Sequence, residues 1–343
     1  MTIAEKIAEL RRIMDRENIA AYVISGTDPH NSEYLPAPWQ QRKWISGFTG
    51  SFGTVVVTRE HVGLWTDTRY FIQAEQELSE TEIELHKLRI PGAVDYPQWL
   101  CEHLQQGENV GIDGFCMSVN DVRALKDTLA LKNIAVCEKT DLLGEIWLDR
   151  PAFPQGAITV LPDRYAGETV RNKIKKIREF IISNNGNHIL FSALDEIAWL
   201  YNIRCNDISY NPVAIAYALI DKEKAHLFVK QDKITPETGS RLCADGVEIH
   251  DYHHLFLYLD ELKSPADFIL DTTTCNYAVY HRICQKFKVK EIVSPIPLLK
   301  TVKNETELAG FRLACRKDAV ALTKFFYWLE NTLATRSVAE LEA

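Results

Sequence analysis

The sequence predicts an α/β chain in which one folding unit is built twice. Three observations predict it. Helix-period and strand-like stretches alternate along most of the 343 residues. The segment 149–162, DRPAFPQGAITVLP, carries three prolines and a glycine and interrupts both periodicities. Beyond it the order of elements starts again, and 343 residues suffice for two cores of common size.

In the first unit, Ile3, Ile7, Leu10, Ile13 and Met14 recur at spacings of three and four and predict an amphipathic helix. The apolar run AAYVIS follows as a buried strand, then a polar turn around Asp28 and Pro29. TVVVT and HVGLWTD, two β-branched or aromatic runs split by charged residues, read as a hairpin. DTRYFIQAEQEL, EIELHKL, AVDYPQWLCEHL, NVGID, SVNDVRALKDTLAL and NIAVCE then alternate helix and strand character. After the break come a helix at RNKIKKIREFII, a strand at HILFS, a short helix around LDEIAWLYN, and two more strands at AIAYALI and HLFVK.

The repeat can be tested residue by residue. Ile7, Leu10, Arg11, Met14, Ile24, Ser25, Asp28 and Tyr34 face Ile174, Ile177, Arg178, Ile181, Phe191, Ser192, Asp195 and Tyr201 at a constant offset of 167. A duplicated scaffold seldom carries one catalytic site twice, so shared packing explains the shared residues. Asp28 and Asp195 are expected to cap backbone N–H groups after their strands.

Composition excludes several classes of function. The net charge is −8 and the pI about 5.7, with Lys and Arg scattered among acids, so no nucleic-acid footprint is present. The N-terminus mixes charge with apolar residues at helical spacing, unlike a signal peptide, and no run reaches the roughly 18 apolar residues of a membrane span. Eight cysteines without a C-x-x-C pair read as buried free thiols, and a cytoplasmic setting follows.

Catalytic motifs are missing: there is no H-E-x-x-H, no G-x-S-x-G and no phosphate loop. Gly47, Gly50 and Gly53 precede a strand instead of opening a helix and are read as turn glycines. His250, His253 and His254 cluster in EIHDYHHLFLYL without further ligand spacing, which is read as a partly exposed helix start. Asp260 and Asp271, ten residues apart, have the spacing of bridging ligands in dinuclear peptidases. They lack the glycine-rich hairpin between them, and Asp271 or Thr272 is placed to cap a helix. No catalytic or metal-binding residue is assigned.

Several stretches resemble the N-terminal half of three-domain aminopeptidase P enzymes, the Xaa-Pro aminopeptidases. They are DPHNSEYLP, RKWISGFTGSFGTVVVT, LWTDTRYFIQAE and LLGEIWLDRPAFP in the first domain. In the second they are YAGETVRNKIKKIR, ALDEIAWLYNIRCNDISYNPVAIAYALI and LLKTVKNETELAGFRLACRKDAVALTKFFYWLE, so the resemblance covers essentially the whole chain. It implies two tandem creatinase/prolidase N-terminal-like domains, each a mixed sheet flanked by helices, at 1–155 and 156–302, with 303–343 as the truncated start of a pita-bread metallopeptidase domain.

The resemblance also implies an activity for the complete protein, release of an N-terminal residue from peptides with proline second. Two divalent metal ions, commonly manganese, would be held there by two aspartates, one histidine and two glutamates, all expected beyond Ala343. The chain itself is therefore expected to be a non-catalytic, inactive part. Arg69 in TDTRY matches a first-domain position that can reach the mouth of the catalytic cleft and bind substrate; pairing with Asp67 is its structural alternative. Other readings are a non-catalytic peptide- or protein-binding module, like the dead aminopeptidase-like domain of a histone chaperone, or a prolidase or creatinase relative. The last is disfavoured because those carry one such domain.

Asn304 and Glu307 stand as a capping box before a long helix. Leu308, Phe311, Cys315, Leu322, Phe326 and Leu329 form one apolar stripe on it, which the catalytic domain would cover in the complete protein; for the chain alone a homodimer joined through this helix is expected.

Overall fold

The computed structural model describes residues 1–263 and 266–343. The first helix, α1 (Ile3–Arg16), starts at Thr2, whose hydroxyl accepts from the Glu5 N–H at 3.2 Å while the Glu5 carboxylate accepts from the Thr2 N–H at 2.8 Å. Such caps contribute about 1 kcal/mol. Its stripe, Ile7, Leu10, Ile13 and Met14, is buried as the spacing requires. There follow β1 (Ala21–Ile24), α2 (Gln41–Ser46), β2 (Thr54–Thr58), β3 (Val62–Thr66), α3 (Phe71–Glu77), β4 (Glu84–Lys87), α4 (Tyr96–His103), β5 (Asn109–Ile112), α5 (Val119–Ala130) and β6 (Ala135–Glu138).

The six strands make one sheet in the order β4-β3-β2-β1-β5-β6. The β1–β2 and β2–β3 pairs are antiparallel and the other three are parallel. Every residue of β1 is buried, because Tyr22 and Ile24 join the core under α1 and α2 while Ala21 and Val23 join the core under α4 and α5. This two-sided burial is why the strand reads as an unbroken apolar run.

The second unit contains β7 (Thr159–Val160), α6 (Asp163–Ala166), α7 (Val170–Ser183), β8 (His188–Phe191), α8 (Leu194–Leu200), β9 (Ile203–Arg204), β10 (Ala216–Asp221), β11 (Ala225–Val229), α9 (Pro236–Ala244), β12 (Val247–His250), α10 (Leu255–Glu261), β13 (Asp267–Leu270), α11 (Tyr277–Cys284), β14 (Lys288–Glu291), α12 (Ile296–Thr301) and α13 (Glu305–Leu333). Its main sheet runs β12-β11-β10-β8-β13-β14. The pattern of parallel and antiparallel pairs repeats that of the first sheet strand for strand. The fold is thus two tandem mixed α/β domains, as expected from the sequence.

Every bound of α7 and β8 lies 167 residues after the corresponding bound of α1 and β1. Shared residues in this stretch have shared contacts: Arg11 Nε donates to the Thr58 carbonyl at 2.9 Å and Arg178 Nε to the Asp221 carbonyl at 3.1 Å. Both carbonyls end the strand that pairs with β1 or β8. The offset then falls to 163, since Ala21 pairs with Thr58 and His188 with Asp221. The first domain has four more residues between these strands.

This shift corrects two expected equivalences. Asp28 is buried and its Oδ1 accepts from the His30 and Ser32 N–H groups, each at 2.9 Å, which is the capping role expected of it. Asp195 instead lies in the first turn of α8 and pairs with Lys300, without capping. Tyr34 is 57% exposed, whereas Tyr201 is fully buried and donates to the His226 carbonyl at 2.9 Å. An irregular segment follows β1 where a helix follows β8, so the constant spacing pairs residues of unlike environment.

The two domains meet through a reciprocal contact. Ser118 caps α5 and Asn276 caps α11, and these two residues form an antiparallel bridge. Val119 N–H donates to the Cys275 carbonyl at 3.1 Å, and Tyr277 N–H to the Met117 carbonyl at 2.9 Å. Val119 enters the core of the second domain while Tyr277 packs on the core of the first. Arg123 of α5 pairs with Glu291 at the end of β14, and His281 of α11 faces Glu138 at the end of β6 at 3.3 Å.

All eight cysteines are unpaired. Cys116, Cys205 and Cys275 are buried, but Cys243, Cys284 and Cys315 are exposed, against the expectation of general burial. The last three sit on outward positions of α9, α11 and α13, where helical periodicity leaves one face to solvent.

The capping box of α13 forms as expected, with Asn304 and Glu307 bonding reciprocally at 2.9 Å. Its 29 residues span about 44 Å at about 1.5 Å per residue, and none of them is buried. The expected stripe is present, with Phe311, Leu322 and Phe326 each more than half exposed. A second stripe, Leu313, Val320 and Tyr327 at a spacing of seven, lies on a different side and is also more than half exposed.

The bridge between domains generates a test. Asn276 is 1% exposed; its Nδ2 donates to the Pro29 carbonyl at 2.7 Å and to Tyr217 Oη at 2.9 Å, and its Oδ1 accepts from the Val279 N–H at 2.9 Å. Asn276→Ala removes a cap and strands buried polar groups, so urea denaturation should show a loss of roughly 2–4 kcal/mol. A loss below about 0.5 kcal/mol, the range of neutral surface changes, would mean that the bridge does not organise the interface.

Candidate functional site

Arg69 stands in the turn that joins β3 to α3. Asp67 shapes this turn: its carbonyl accepts from the Tyr70 N–H at 3.0 Å and its Oδ1 from the Arg69 N–H at 3.2 Å. The Arg69 side chain folds back onto the same carboxylate, with Nε to Oδ1 and Nη2 to Oδ2 each at 3.0 Å. Arg69 therefore pairs with Asp67, the structural alternative for this residue, and Nη1 stands outside the pair.

A second guanidinium shares the carboxylate. Arg89 Nη1 lies 3.3 Å from Asp67 Oδ2, and Arg89 itself holds a left-handed backbone with φ of 59° just after β4. A long side chain in that region is uncommon. Both guanidiniums lie over the Phe52 ring, at 5.8 and 5.4 Å from its centroid, and Arg69 lies 5.2 Å from the Tyr70 ring. Asp67 is buried, whereas the Arg69 and Arg89 side chains are 53% and 67% exposed. The result is a buried anion under two solvent-facing cations, with a net charge of +1.

Hydrogen bonding from Arg69 holds the Asp67 carboxyl below its usual range against the opposing effect of burial, and Arg89 adds to it. The same bond raises Arg69 above the ordinary guanidinium value. Such a surface can accept a carboxylate or peptide carbonyls through charge-assisted hydrogen bonds. Arg89, Phe52 and Tyr70 were not anticipated from the sequence. Parallel pairing of β3 with β4 brings Arg89 over, and no local spacing announces that.

The remaining candidates separate. The glycine loop is a turn, with Gly47 at φ 77° closing α2. Buried Arg42 donates to the Gly53 carbonyl at 2.9 Å and to that of Gly50, and burial pushes its pKa down to about 10. Asp260 pairs with Arg282, while Asp271 accepts from the Thr273 and Ser294 N–H groups at 2.9 and 2.8 Å. The two aspartates do not share a site, and the cap expected of Asp271 or Thr272 is made by Asn276, because a turn separates Asp271 from the start of α11. His253 and His254 form a short turn before α10, as expected, but His250 ends β12 and faces His226.

Comparison with known proteins extends this picture. The family pattern described as the creatinase/prolidase N-terminal domain matches residues 6–143, and a second pattern of the same description matches residues 149–307. The chain belongs to this family, in tandem form. Among curated relatives, Xaa-Pro aminopeptidase 1 of Dictyostelium discoideum is 35% identical over 348 residues, covering 98% of this chain and 55% of its own length. Aminopeptidase P2 of Arabidopsis thaliana is 34% identical over 365 residues, covering 96% of this chain and 51% of its own.

The solved X-prolyl aminopeptidase of Caenorhabditis elegans, described as a cytosolic enzyme with a di-nuclear active site, superposes with a TM-score of 0.91. It is 30% identical and covers 100% of this chain and 58% of its own. The chain spans about half the length of the curated relatives it matches. These relatives bear out the resemblance to Xaa-Pro aminopeptidases, a metallopeptidase family.

The five-ligand dinuclear set implied by that resemblance is not assembled among the described residues. Where three potential ligands converge, they are two histidines and one glutamate. The donor set does not fit the paired ions.

Asp67 and Arg69 can be tested together in the complete protein that contains this domain. If Arg69 contacts substrate, Arg69→Ala should raise KM for peptides of four or more residues by about 10-fold with kcat nearly unchanged, the pattern of lost uniform binding. Asp67→Asn should leave that KM within about threefold, yet lower the melting temperature at pH 7. Because the Asp67 pKa is depressed, the stability it gives is present above the usual carboxylate range and lost as pH falls through its lowered value. The melting difference should therefore close toward pH 2. An Arg69→Ala change that alters stability alone would leave the residue structural.

Proposed function

We propose that this chain is the N-terminal, non-catalytic part of an Xaa-Pro aminopeptidase that, at full length, releases the N-terminal residue from peptides with proline second. The observation that carries the reading is the alignment of 98% of the chain with 55% of such an enzyme at 35% identity. The duplicated sheets and the lack of a fitting donor set among the described residues support a scaffold role for it. The divisions at 1–155, 156–302 and 303–343 belong to the same reading.

The catalytic pair of divalent ions, manganese by expectation, then belongs to the half of the relatives that this chain does not span. The nematode enzyme is described as having a di-nuclear active site. In the assembled protein the Arg69 and Arg89 surface would bind the distal carboxylate or carbonyls of the peptide. A cytoplasmic location is supported by the cytosolic description of that enzyme and by eight unpaired cysteines. No helix among the described residues is long and apolar enough to cross a membrane, and the net charge of −8 disfavours nucleic acid.

The purified 343-residue chain, supplied with manganese, should release no N-terminal residue from Xaa-Pro peptides above the rate of buffer alone. Manganese-dependent turnover that co-purifies with the chain and is lost with it would overturn the non-catalytic reading.

In the full-length protein the partner of α13 is proposed to be the catalytic domain, and for this chain alone a second copy. Burial of each large apolar side chain stabilises by roughly 1.5–3 kcal/mol, and α13 offers two stripes of them. Sedimentation at tens of micromolar should give a dimer for the chain and a monomer once residues 304–343 are removed. Equal monomers would end the dimer proposal.

A further inference from the structure

The strongest feature outside the Arg69 surface is a cluster on the second sheet. His226 lies in β11, and its β12 neighbours Glu248 and His250 flank Ile249 on one face of the sheet. His226 Nδ1 is 3.0 Å from His250 Nε2 and 3.4 Å from Glu248 Oε2, and His250 Nε2 is 4.0 Å from the same oxygen. One atom from each residue therefore makes a triangle with edges of 3.0, 3.4 and 4.0 Å. Three ligands of tetrahedral zinc, about 2.0–2.2 Å from the metal, stand about 3.3–3.6 Å apart. Shifts of a few tenths of an ångström convert one triangle into the other.

The surroundings fix these atoms for such a role. Tyr258 Oη lies 2.9 Å from His226 Nε2, so the phenol can hold the N–H of the Nε2 tautomer and leave the Nδ1 lone pair facing the cluster. That is the outer-shell arrangement common to metal-bound imidazoles. Lys224 pairs with Glu248 Oε1 at 3.0 Å and leaves Oε2 toward the histidines. His250 stacks on Phe228 with centroids 4.9 Å apart, which sets its ring plane. His226 is fully buried, whereas His250 and Glu248 are 26% and 46% exposed, so the open corner faces solvent.

We propose that His226, Glu248 and His250 bind a divalent transition-metal ion of the zinc class, with water as the fourth ligand. His250 would move its proton from Nε2 to Nδ1, so both imidazoles bind as neutral rings. The ion would tie β11 to β12.

The first domain supplies an internal control. There His86 stacks on Trp65 at 3.9 Å, and Glu84 and His86 occupy the corresponding strand. Its second histidine, His61, comes from before β3. His61 Nε2 meets His86 at 3.0 Å, while its Nδ1 faces Glu84 at 3.8 Å. Its three donor atoms also lie within 4.8 Å of one another, but the carboxylate makes its 3.8 Å approach to the other ring nitrogen, so this copy is the looser site.

The test uses the whole chain, stripped with chelator, with exposed thiols alkylated so that zinc on cysteine is not counted. Titration with zinc against a chromophoric chelator at pH 7.5 should give one ion per chain. His250→Phe, which keeps the ring stack, should weaken binding by at least about 100-fold, and Tyr258→Phe by about 10-fold. His86→Phe should leave the stoichiometry unchanged. Thermal melts of each variant without zinc show that it folds. The absence of stoichiometric zinc, or zinc retained by a folded His250→Phe variant, would overturn the site.

Discussion

The geometry of the whole chain depends on the antiparallel bridge between Ser118 and Asn276. Each residue caps the helix that starts beside it, and each helix sends its first side chain into the opposite domain. Two reciprocal backbone bonds and two reciprocal pairs, Arg123 with Glu291 and His281 with Glu138, flank the bridge. Reciprocity of this kind marks a two-fold interface between like subunits. Here the subunits are two halves of one chain, and the connection between them keeps each at high effective concentration for the other. Asn276 is buried at the centre, where a polar side chain is tolerated only because all of its bonds are made.

Departures from that symmetry show what each copy acquired. The longer segment between β1 and β2 carries the chain across the interface, where buried His30 meets the Ser192 carbonyl and Tyr252 Oη, each at 2.9 Å. At the offset of 163 that holds through β2 and β3, Asp67 and Arg69 face Lys230 and Asp232. Charge is reversed at both positions. Shared packing thus cannot account for the Arg69 surface, whereas it does account for Arg11 and Arg178, which hold the same strand end in both domains.

Sequence periodicity revealed what is local. The stripe of α1, the apolar run of β1 and their copies were readable because each depends on residues three, four or two apart. The constant offset failed at Asp195 and Tyr201 because an insertion is invisible until strand register fixes which residues are opposite. Arg69 and Asp67 were found because they are two residues apart, but Arg89 reaches them only through the β3–β4 pairing. In sequence His250 clusters with His253 and His254, while its neighbour in space is His226 on the next strand.

The helix α13 extends that limit to a case where the pattern was right and its meaning incomplete. One stripe predicts one covering surface, and a helix with apolar residues around most of its circumference needs cover on more than one side. Leu313, Val320 and Tyr327 repeat every seven residues, so in an undistorted helix they drift only about 20° per repeat and stay in line as a separate face. The first stripe follows the same spacing in Cys315, Leu322 and Leu329. A partner that covered only one of them would leave the other in water, so a single flat contact cannot satisfy this helix. The capping box holds its first turn beside α6, where Asn304 Nδ2 donates to the Ala166 carbonyl at 2.8 Å, and since none of the 29 residues of α13 is buried, the second domain fully covers neither face.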